Sequence, residues 1–419
     1  MPVLLFLFMA SMNFGAKFFY FVFLSFLVIF LIKRCLVVDT TSVLYFLLCS
    51  VMAIYNYGEG LLSMLRCFAP FCFYLVGSNL VSDSITAASI TQTKNEAQKL
   101  GYAILVAISL GSFTHYLLNY LYNLGSSLGR NTNDIWTGHI MAATGQNALT
   151  CLMLGLSCSM LFLPPKKWHR WAAVAVIFLM LAYNMVLSCR TPLVIFAILL
   201  LAGMVYPKKN TRYGAQLLKY MSYFALLFGV GMALYALNIG GFREYIQDSR
   251  LFARFGGSIA SLTDNESRSD AKLFFISQMI KYPFGGCHMR EIHGYAHDLL
   301  LDAYDEYGVT VFLLLIAVLI ISVVQLFVLL RRTDYSESFK LSLLLIYCAV
   351  LLEFSVEPIL AGMQWLFSCY CLLNGCTIGM NRAYFWKCHK ERMDDQNESI
   401  TNQHSVWRGK HGINCQGNT

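Results

Sequence analysis

The feature that most constrains this chain is the recurrence of uninterrupted apolar runs long enough to cross a lipid bilayer. A membrane-spanning helix needs about 20 predominantly apolar residues, within a range of roughly 17–25. The runs are continuous and do not alternate in polarity, which favours α-helices over the strands of a β-barrel. We therefore predict an all-α polytopic membrane protein with about 11 (10–12) transmembrane helices, near 18–32, 43–62, 67–81, 101–123, 139–163, 171–188, 191–206, 219–238, 309–330, 341–360 and 363–380.

Composition excludes the main classes of soluble protein. Of the 419 residues, 57% are hydrophobic and 13% are charged, whereas a soluble domain is about 45–50% apolar and about 25% charged. Too few polar groups remain to cover a soluble particle, so we exclude a soluble enzyme, a nucleic-acid-binding domain and a disordered chain. The formal net charge of +8 is expected to reflect topology and anionic lipid, with no nucleic-acid partner.

Basic residues on the short loops predict the orientation and the domains. Cytoplasmic loops carry an excess of Lys and Arg, and such clusters recur on alternate loops, although Arg66 opposes the scheme. Segments 124–138, 188–191 and 239–308 are then extracytoplasmic. We predict a membrane domain over 1–381, with the candidate active site in its external segment 239–308, and a polar, disordered cytoplasmic tail over 382–419. The clusters are Lys33 and Arg34; Lys94 and Lys99; Lys166, Lys167 and Arg170; Lys208, Lys209, Arg212 and Lys219; Arg331, Arg332 and Lys340; Arg382, Lys387, Lys390 and Arg392.

The external segment is rich in arginine compared with lysine. A guanidinium makes bidentate contacts to phosphate oxygens and keeps its charge, so this composition favours an anionic substrate such as a pyrophosphate. The alternative is a solvated basic face that contacts lipid headgroups or pairs with nearby acids. The arginines are Arg243, Arg250, Arg254, Arg268 and Arg290, against Lys272 and Lys281.

His297 stands where a helical pattern begins, after a stretch broken by proline and glycine. A histidine at an external helix start, beside the acidic Asp298, is a candidate general base. The alternative is an amphipathic interfacial helix whose early acids complement the helix dipole. A zinc site built from His288, His293 and His297 competes, but no HExxH is present, so we expect no metal and no cofactor.

Two further polar features lie at the ends of apolar spans. Arg190, in the turn SCRTP, is costly to bury near a bilayer and either snorkels to the interface or points into a cavity that holds an anion. Pro192 suits the first turn of the following helix, whose free amides also favour an anion. Glu353 and Glu357 are one helical turn apart near the outer end of a late span, a weak signal for a proton relay.

Three pieces in this order resemble the O-antigen ligase and O-antigen polymerase superfamily. They are the turn Ser188-Cys189-Arg190, then Arg268 followed by Pro283-Phe284-Gly285-Gly286, then His297-Asp298 opening a helix that runs to Glu306-Tyr307-Gly308. The resemblance covers roughly residues 130 to 320. The chain departs from the pattern at Asp298, where asparagine is usual, and at Cys189, where the family has a second serine.

The resemblance implies an inverting, metal-independent glycosyltransferase that uses a glycan on undecaprenyl pyrophosphate. It gives His297, Arg190 and Arg268 catalytic roles. The histidine would deprotonate the acceptor hydroxyl, and the arginines would stabilise the departing pyrophosphate. Arg250, Arg254 and Asp298 are the expected substrate-binding residues.

The expected function is therefore polymerisation of oligosaccharide repeat units, for a capsule, O-antigen or exopolysaccharide, at the outer face of the bacterial cytoplasmic membrane. The expected partners are the lipid-linked oligosaccharide, the bilayer, and the flippase and chain-length regulator of the same pathway. A ligase that moves finished glycan onto another acceptor is the first alternative. A transporter of polysaccharide or lipid-linked sugar is less favoured, because the polar residues collect in an external loop and not at the bilayer midplane.

Overall fold

The protein is mostly helical. The computed structural model describes residues 2–86, 90–125, 131–187, 189–206, 236–241, 263–285 and 294–382, together with positions 233, 289, 292, 384 and 385. The side chains at 82–95, 185, 263–269 and 361 lie outside that description. The predicted span 219–238, most of the external segment before 263, and the predicted tail from 386 onward also lie outside the described residues.

Most of the described helices follow the apolar runs. They are α1 (Pro2–Ser11), α2 (Phe18–Lys33), α3 (Thr40–Tyr55), α4 (Leu61–Arg66), α5 (Ala69–Thr86), α6 (Ile90–Tyr122), α7 (Ala143–Phe162), α8 (Lys167–Val186), α9 (Thr191–Val205), α10 (Thr263–Met279), α11 (Leu299–Leu330), α12 (Glu337–Phe354), α13 (Ile359–Gly362) and α14 (364–382). Short 3₁₀ turns occur at Phe14–Ala16, Tyr57–Glu59 and Ile239–Gly241.

Among the described residues, four helical stretches are long and apolar enough to cross a membrane. They are Leu61–Val81, Glu96–Tyr122, Ala143–Phe162 and Leu299–Leu330. Four further apolar helices are shorter: Pro2–Ser11, Phe18–Lys33, Thr40–Tyr55 and Thr191–Val205. These apolar helices fit a membrane protein.

The predicted span 43–62 differs from the structure. Helix α3 ends at Tyr55, and the next helix starts only at Leu61. The intervening residues include Gly60, which has a φ of 97°. A φ in this region is accessible to glycine and strained for other residues. The local sequence therefore breaks the apolar run into two helices.

A short hairpin interrupts the helices between α6 and α7. Strands β1 (Asn131–Asn133) and β2 (Ile140–Ala142) pair in antiparallel fashion. Asp134 in the connecting loop accepts hydrogen bonds from the amides of Trp136 and Thr137, and its Oδ2 lies 2.6 Å from Nε2 of His115 in α6. Burial alone would raise the pKa of Asp134, but the hydrogen bonds and charge of His115, helped by Thr137, lower it to about 2. This buried pair attaches the hairpin to α6.

Helix α7 lies in the interior of the bundle, and most of its residues are buried. Its backbone approaches α12 closely at Gly155, where a Cβ would lie 2.7 Å from Cα of Ile346. Several polar side chains on its buried face form hydrogen bonds inside the protein. For example, Ser159 bonds Ser342 of α12 at 2.7 Å. Such pairing is required where polar groups are removed from water.

Contacts at one end of the bundle define the relative direction of α7, α9 and α12. Ser338 at the start of α12 donates to the carbonyl of Leu163, just past the end of α7. Tyr206, just past the end of α9, donates to Glu337 at the start of α12. The starts of α7 and α9 therefore lie with the end of α12 at the opposite end of the bundle, which we call the histidine end because His297 lies there.

Candidate functional site

Asp298 caps the helix that follows His297. Its Oδ1 accepts hydrogen bonds from the amides of Leu300 and Leu301, at 3.0 and 3.3 Å. These amides have no partner within the helix, so an aspartate at this position starts the helix and complements its dipole. Asp298 therefore has a structural role at the N-terminus of α11, in addition to any contact with a substrate.

His297 has a left-handed backbone conformation, with a φ of 54°. A non-glycine residue in this region is strained by about 1–3 kcal/mol and persists only when its surroundings fix it. The buried carboxylate of Asp302 supplies that constraint. It accepts from the amide of Ala296 at 2.8 Å and from the amide of Asp298 at 3.2 Å. Asp302 thus holds the backbone on both sides of His297.

The imidazole of His297 faces the carboxylate of Glu357, which follows α12. The distance from Nδ1 to Oε2 is 3.7 Å, and the side chains are 28% and 0% exposed, respectively. Nδ1 of His297 and both carboxylate oxygens of Glu357 are buried and have no hydrogen-bond partner among the described residues. The exposed part of the ring therefore lies away from Nδ1, on the side that carries Nε2.

A second buried carboxylate lies one turn before Glu357. The amide of Glu357 donates to the carbonyl of Glu353 at 3.1 Å, and both side chains are fully buried. Nδ2 of Asn147, near the start of α7, donates to both carboxylate oxygens of Glu353 at 2.8 Å. Glu353 therefore has a polar partner of its own, whereas Glu357 has His297.

Helix α10 docks beside these residues. Its Lys272 donates to the carbonyl of Ser355 at 2.9 Å and lies 3.4 Å from Oδ2 of Asp298. Arg268 lies one helical turn before Lys272 on the same helix, and its side chain is outside the description. A small apolar cluster joins α10 to the start of α11; it consists of Phe275, Met289, Ala296, Leu301 and Tyr304.

Two glycines from the sequence motifs meet where α11 bends. Gly308 has a φ of 74° and a ψ of −173°, a conformation inside the helix that is not helical. A Cβ on Gly308 would lie 2.5 Å from the carbonyl carbon of Phe284, and a Cβ on Gly285 would lie 2.7 Å from the amide nitrogen of Gly308. The amide of Val309 donates to the carbonyl of Pro283 at 2.9 Å. The loop at 283–285 is therefore fixed against α11.

A tyrosine and a further helix hold the same loop. The hydroxyl of Tyr304 donates to the carbonyls of Met279 and Tyr282. The hydroxyl of Tyr55, at the end of α3, donates to the carbonyl of Phe284 at 2.9 Å. The loop that follows α10 is thus connected to α11 and to α3.

Arg190 lies at the start of α9 and is partly buried. Its carbonyl accepts from the amides of Leu193 and Val194, and Pro192 lies in the first turn as expected for a helix N-terminus. The structure places Arg190 at the histidine end of the bundle. Within the described part of the chain, Arg190 and His297 share no hydrogen bond or ion pair.

Four further candidate residues fall outside the described part of the chain. Arg250 and Arg254 lie outside the described residues, as do His288 and His293 of the alternative zinc site. The described residues contain no group of three or more His, Cys, Asp or Glu side chains placed to hold a metal ion.

Sequence reasoning missed three residues of this site. Asp302 is, in the sequence, only one of the early acids of the predicted helix, whereas the structure buries it. Lys272 was counted only as one of two lysines, and Asn147 carried no signal. The spacing of Asp298 and Asp302, one turn apart at a helix start, was the available clue to the backbone clamp.

No protein-family model matches this sequence, and no curated protein matches it either.

Proposed function

We propose that this protein is a membrane glycosyltransferase that polymerises undecaprenyl-pyrophosphate-linked oligosaccharide repeat units at the outer face of the bacterial cytoplasmic membrane. The observation that carries the proposal is the partly exposed imidazole of His297, held in a strained backbone conformation, with Glu357 behind its Nδ1 atom. A residue that several contacts hold in a strained backbone conformation is typical of functional sites. The order of motifs in the sequence supports the choice of substrate.

The chemistry requires one base and several cations. His297 accepts the proton of the acceptor hydroxyl, the hydroxyl oxygen bonds to the anomeric carbon, and the bond from that carbon to the pyrophosphate breaks. The electron pair of the broken bond leaves on the pyrophosphate, so no strong acid is needed at that oxygen. Arg190 and Arg268 stabilise this charge with bidentate guanidinium contacts, and Arg250 and Arg254 assist in binding. Attack from the face opposite the leaving group inverts the anomeric centre.

The proposal includes a membrane domain of about 11 (10–12) spans, with the histidine end outside the cell membrane and the tail in the cytoplasm. A cysteine introduced at Ile280, which is 92% exposed, tests this orientation on a background without reactive cysteines. A membrane-impermeant thiol reagent should label Ile280→Cys in intact cells. The matched control Arg331→Cys, past the other end of α11, should be labelled only after permeabilisation. The reverse result contradicts the orientation.

A deletion strain distinguishes the proposed polymerase from the alternatives. Analysis of its lipid extract should show single repeat units on the lipid carrier at the outer face. Long chains on the carrier indicate a ligase instead. Absence of external lipid-linked sugar indicates a transporter.

Substitution of His297 tests the assigned base. General-base catalysis contributes about 10²–10⁴-fold to a rate, so His297→Ala should remove most polymer while the protein remains inserted at normal amounts. The control is His139→Ala, because the side chain of His139 is exposed on the hairpin. Normal polymer from His297→Ala would exclude the assignment.

Conservative substitution of the arginines tests leaving-group stabilisation. Arg190→Lys and Arg268→Lys keep the charge but lose the planar fork, so both should lower polymer formation strongly. Arg331→Lys, at an exposed position on the other end of α11, should have no effect. Chelators should leave the activity of the purified protein intact, and a loss that zinc or magnesium restores would favour the histidine metal site.

A further inference from the structure

We propose that Glu357 is a positioning residue that keeps the proton of neutral His297 on Nδ1 and stabilises the imidazolium formed during the reaction. The catalytic part of this inference rests on the proposed function, because it assigns Glu357 a task in that same reaction. The tautomer part concerns only the two side chains.

The two groups are each other's available partners. Glu357 is fully buried, and neither of its carboxylate oxygens has a hydrogen-bond partner among the described residues. Nδ1 of His297 is also buried without a hydrogen-bond partner within that part of the chain. A buried carboxylate and a buried ring nitrogen left without partners are both costly. At 3.7 Å they are within ion-pair range, and catalytic hydrogen bonds are often long before substrate binds.

The two nearby carboxylates, Glu353 and Asp302, are bonded to other groups. Glu353 accepts both of its contacts from Asn147, so it does not compete for the imidazole. Asp302 is bonded to the backbone amides on either side of His297 and holds the residue without contacting Nδ1. Glu357 is therefore the carboxylate that faces the ring nitrogen.

The geometry assigns one task to each nitrogen of the ring. A neutral imidazole has one donor and one acceptor nitrogen, and the group that faces one nitrogen sets the role of the other. If Glu357 accepts a hydrogen bond from Nδ1, Nε2 is the acceptor on the exposed side. When the acceptor hydroxyl loses its proton to Nε2, the ring becomes a cation beside the Glu357 anion. The proton later leaves Nε2 for water, and no proton passes to Glu357.

The tautomer is measured by ¹⁵N NMR on the full-length protein, labelled with ¹⁵N-histidine and held in lipid nanodiscs. The His297 signals are assigned by their loss in His297→Ala. The wild type should carry the proton of neutral His297 on Nδ1. Glu357→Leu, which removes both acceptor oxygens, should lose that preference, and Glu59→Gln, at an exposed acid, should keep it. A wild-type His297 protonated on Nε2 alone overturns the proposal, even if no Glu357 variant folds, and so does an unchanged tautomer in Glu357→Leu.

Polymerisation kinetics supply the second measurement. Glu357→Gln should lower kcat by about 10²–10⁴-fold, the range of a lost general base, with little change in KM. Glu357→Asp should recover part of the rate, because it restores the charge at a longer distance. Unchanged kcat in a folded Glu357→Gln protein overturns the catalytic role. If the wild type forms no glycan product at all, the proposed function fails, while the NMR comparison still decides whether Glu357 sets the tautomer.

Discussion

The bend in α11 at Gly308 gives the sharpest test of how the site is held. Gly308 has a φ of 74° and a ψ of −173°, in a region that is essentially restricted to glycine. Placing alanine there costs about 1–3 kcal/mol in backbone strain. The new Cβ would also lie 2.5, 2.7 and 2.9 Å from the C, O and Cα atoms of Phe284. These are backbone atoms that cannot rotate away, so overpacking adds about 1–3 kcal/mol.

We therefore expect Gly308→Ala to destabilise the protein by roughly 2–6 kcal/mol, the sum of the strain and overpacking ranges. Because the loop at 283–285 is bonded to α11, relief of the clash should also displace the segment that carries His297. A misplacement of about 1 Å can lower a rate by about 10²-fold. The loss of polymer should therefore remain at a temperature where the variant is still folded.

Thermal unfolding of the detergent-solubilised protein, followed by intrinsic fluorescence, measures the stability. Gly58→Ala is the matched control, because a Cβ at Gly58 meets no atom within 4 Å. Equal unfolding temperatures and equal polymer formation in the two variants would refute the argument. They would mean that the loop and the helix are not in contact at this bend.

Three other substitutions test separate parts of the structure. Asp302→Asn leaves one acceptor oxygen for two backbone amides, so it should destabilise the protein by about 1–3 kcal/mol and lower polymer formation. Unchanged stability and unchanged polymer formation would contradict the role of Asp302 in holding the backbone on both sides of His297. Lys272→Met keeps an apolar stem and removes a partly exposed ion pair, so stability should change by less than about 1 kcal/mol. The KM for the lipid-linked donor should rise. Lys281→Met, at an exposed position, is the control for KM. Since the pKa of Asp134 is lowered from 3.8 to about 2, the stability that this carboxylate contributes is present above about pH 4 and is lost as the pH falls toward 2. Asp134→Asn should therefore flatten the dependence of stability on pH in this range. If the variant loses stability between pH 4 and pH 2 as the wild type does, the pair with His115 is not the cause of that loss.

The sequence by itself determined the local features of this protein. Continuous apolar runs set the positions of most helices, because a long apolar segment satisfies its backbone internally as a helix. Asp298 marked the start of α11, since a capping carboxylate is recognised by the amides immediately after it. Gly285 and Gly308 were visible as motif residues, although their contact was not. Such features depend on a residue and its chain neighbours, which a sequence displays directly.

Only the tertiary structure decided which side chains meet. The pairing of Asn147 with Glu353 joins residues 206 positions apart. His297, just before α11, faces Glu357, just after α12. Helical periodicity shows which residues share a face, but it does not show which helix covers that face. That choice depends on how α7 and α12 fit, including the close approach at Gly155. Asp302 is a further example, because an acid early in a helix is expected at the surface. It is buried instead, since its partners are the backbone amides of the loop that precedes the helix.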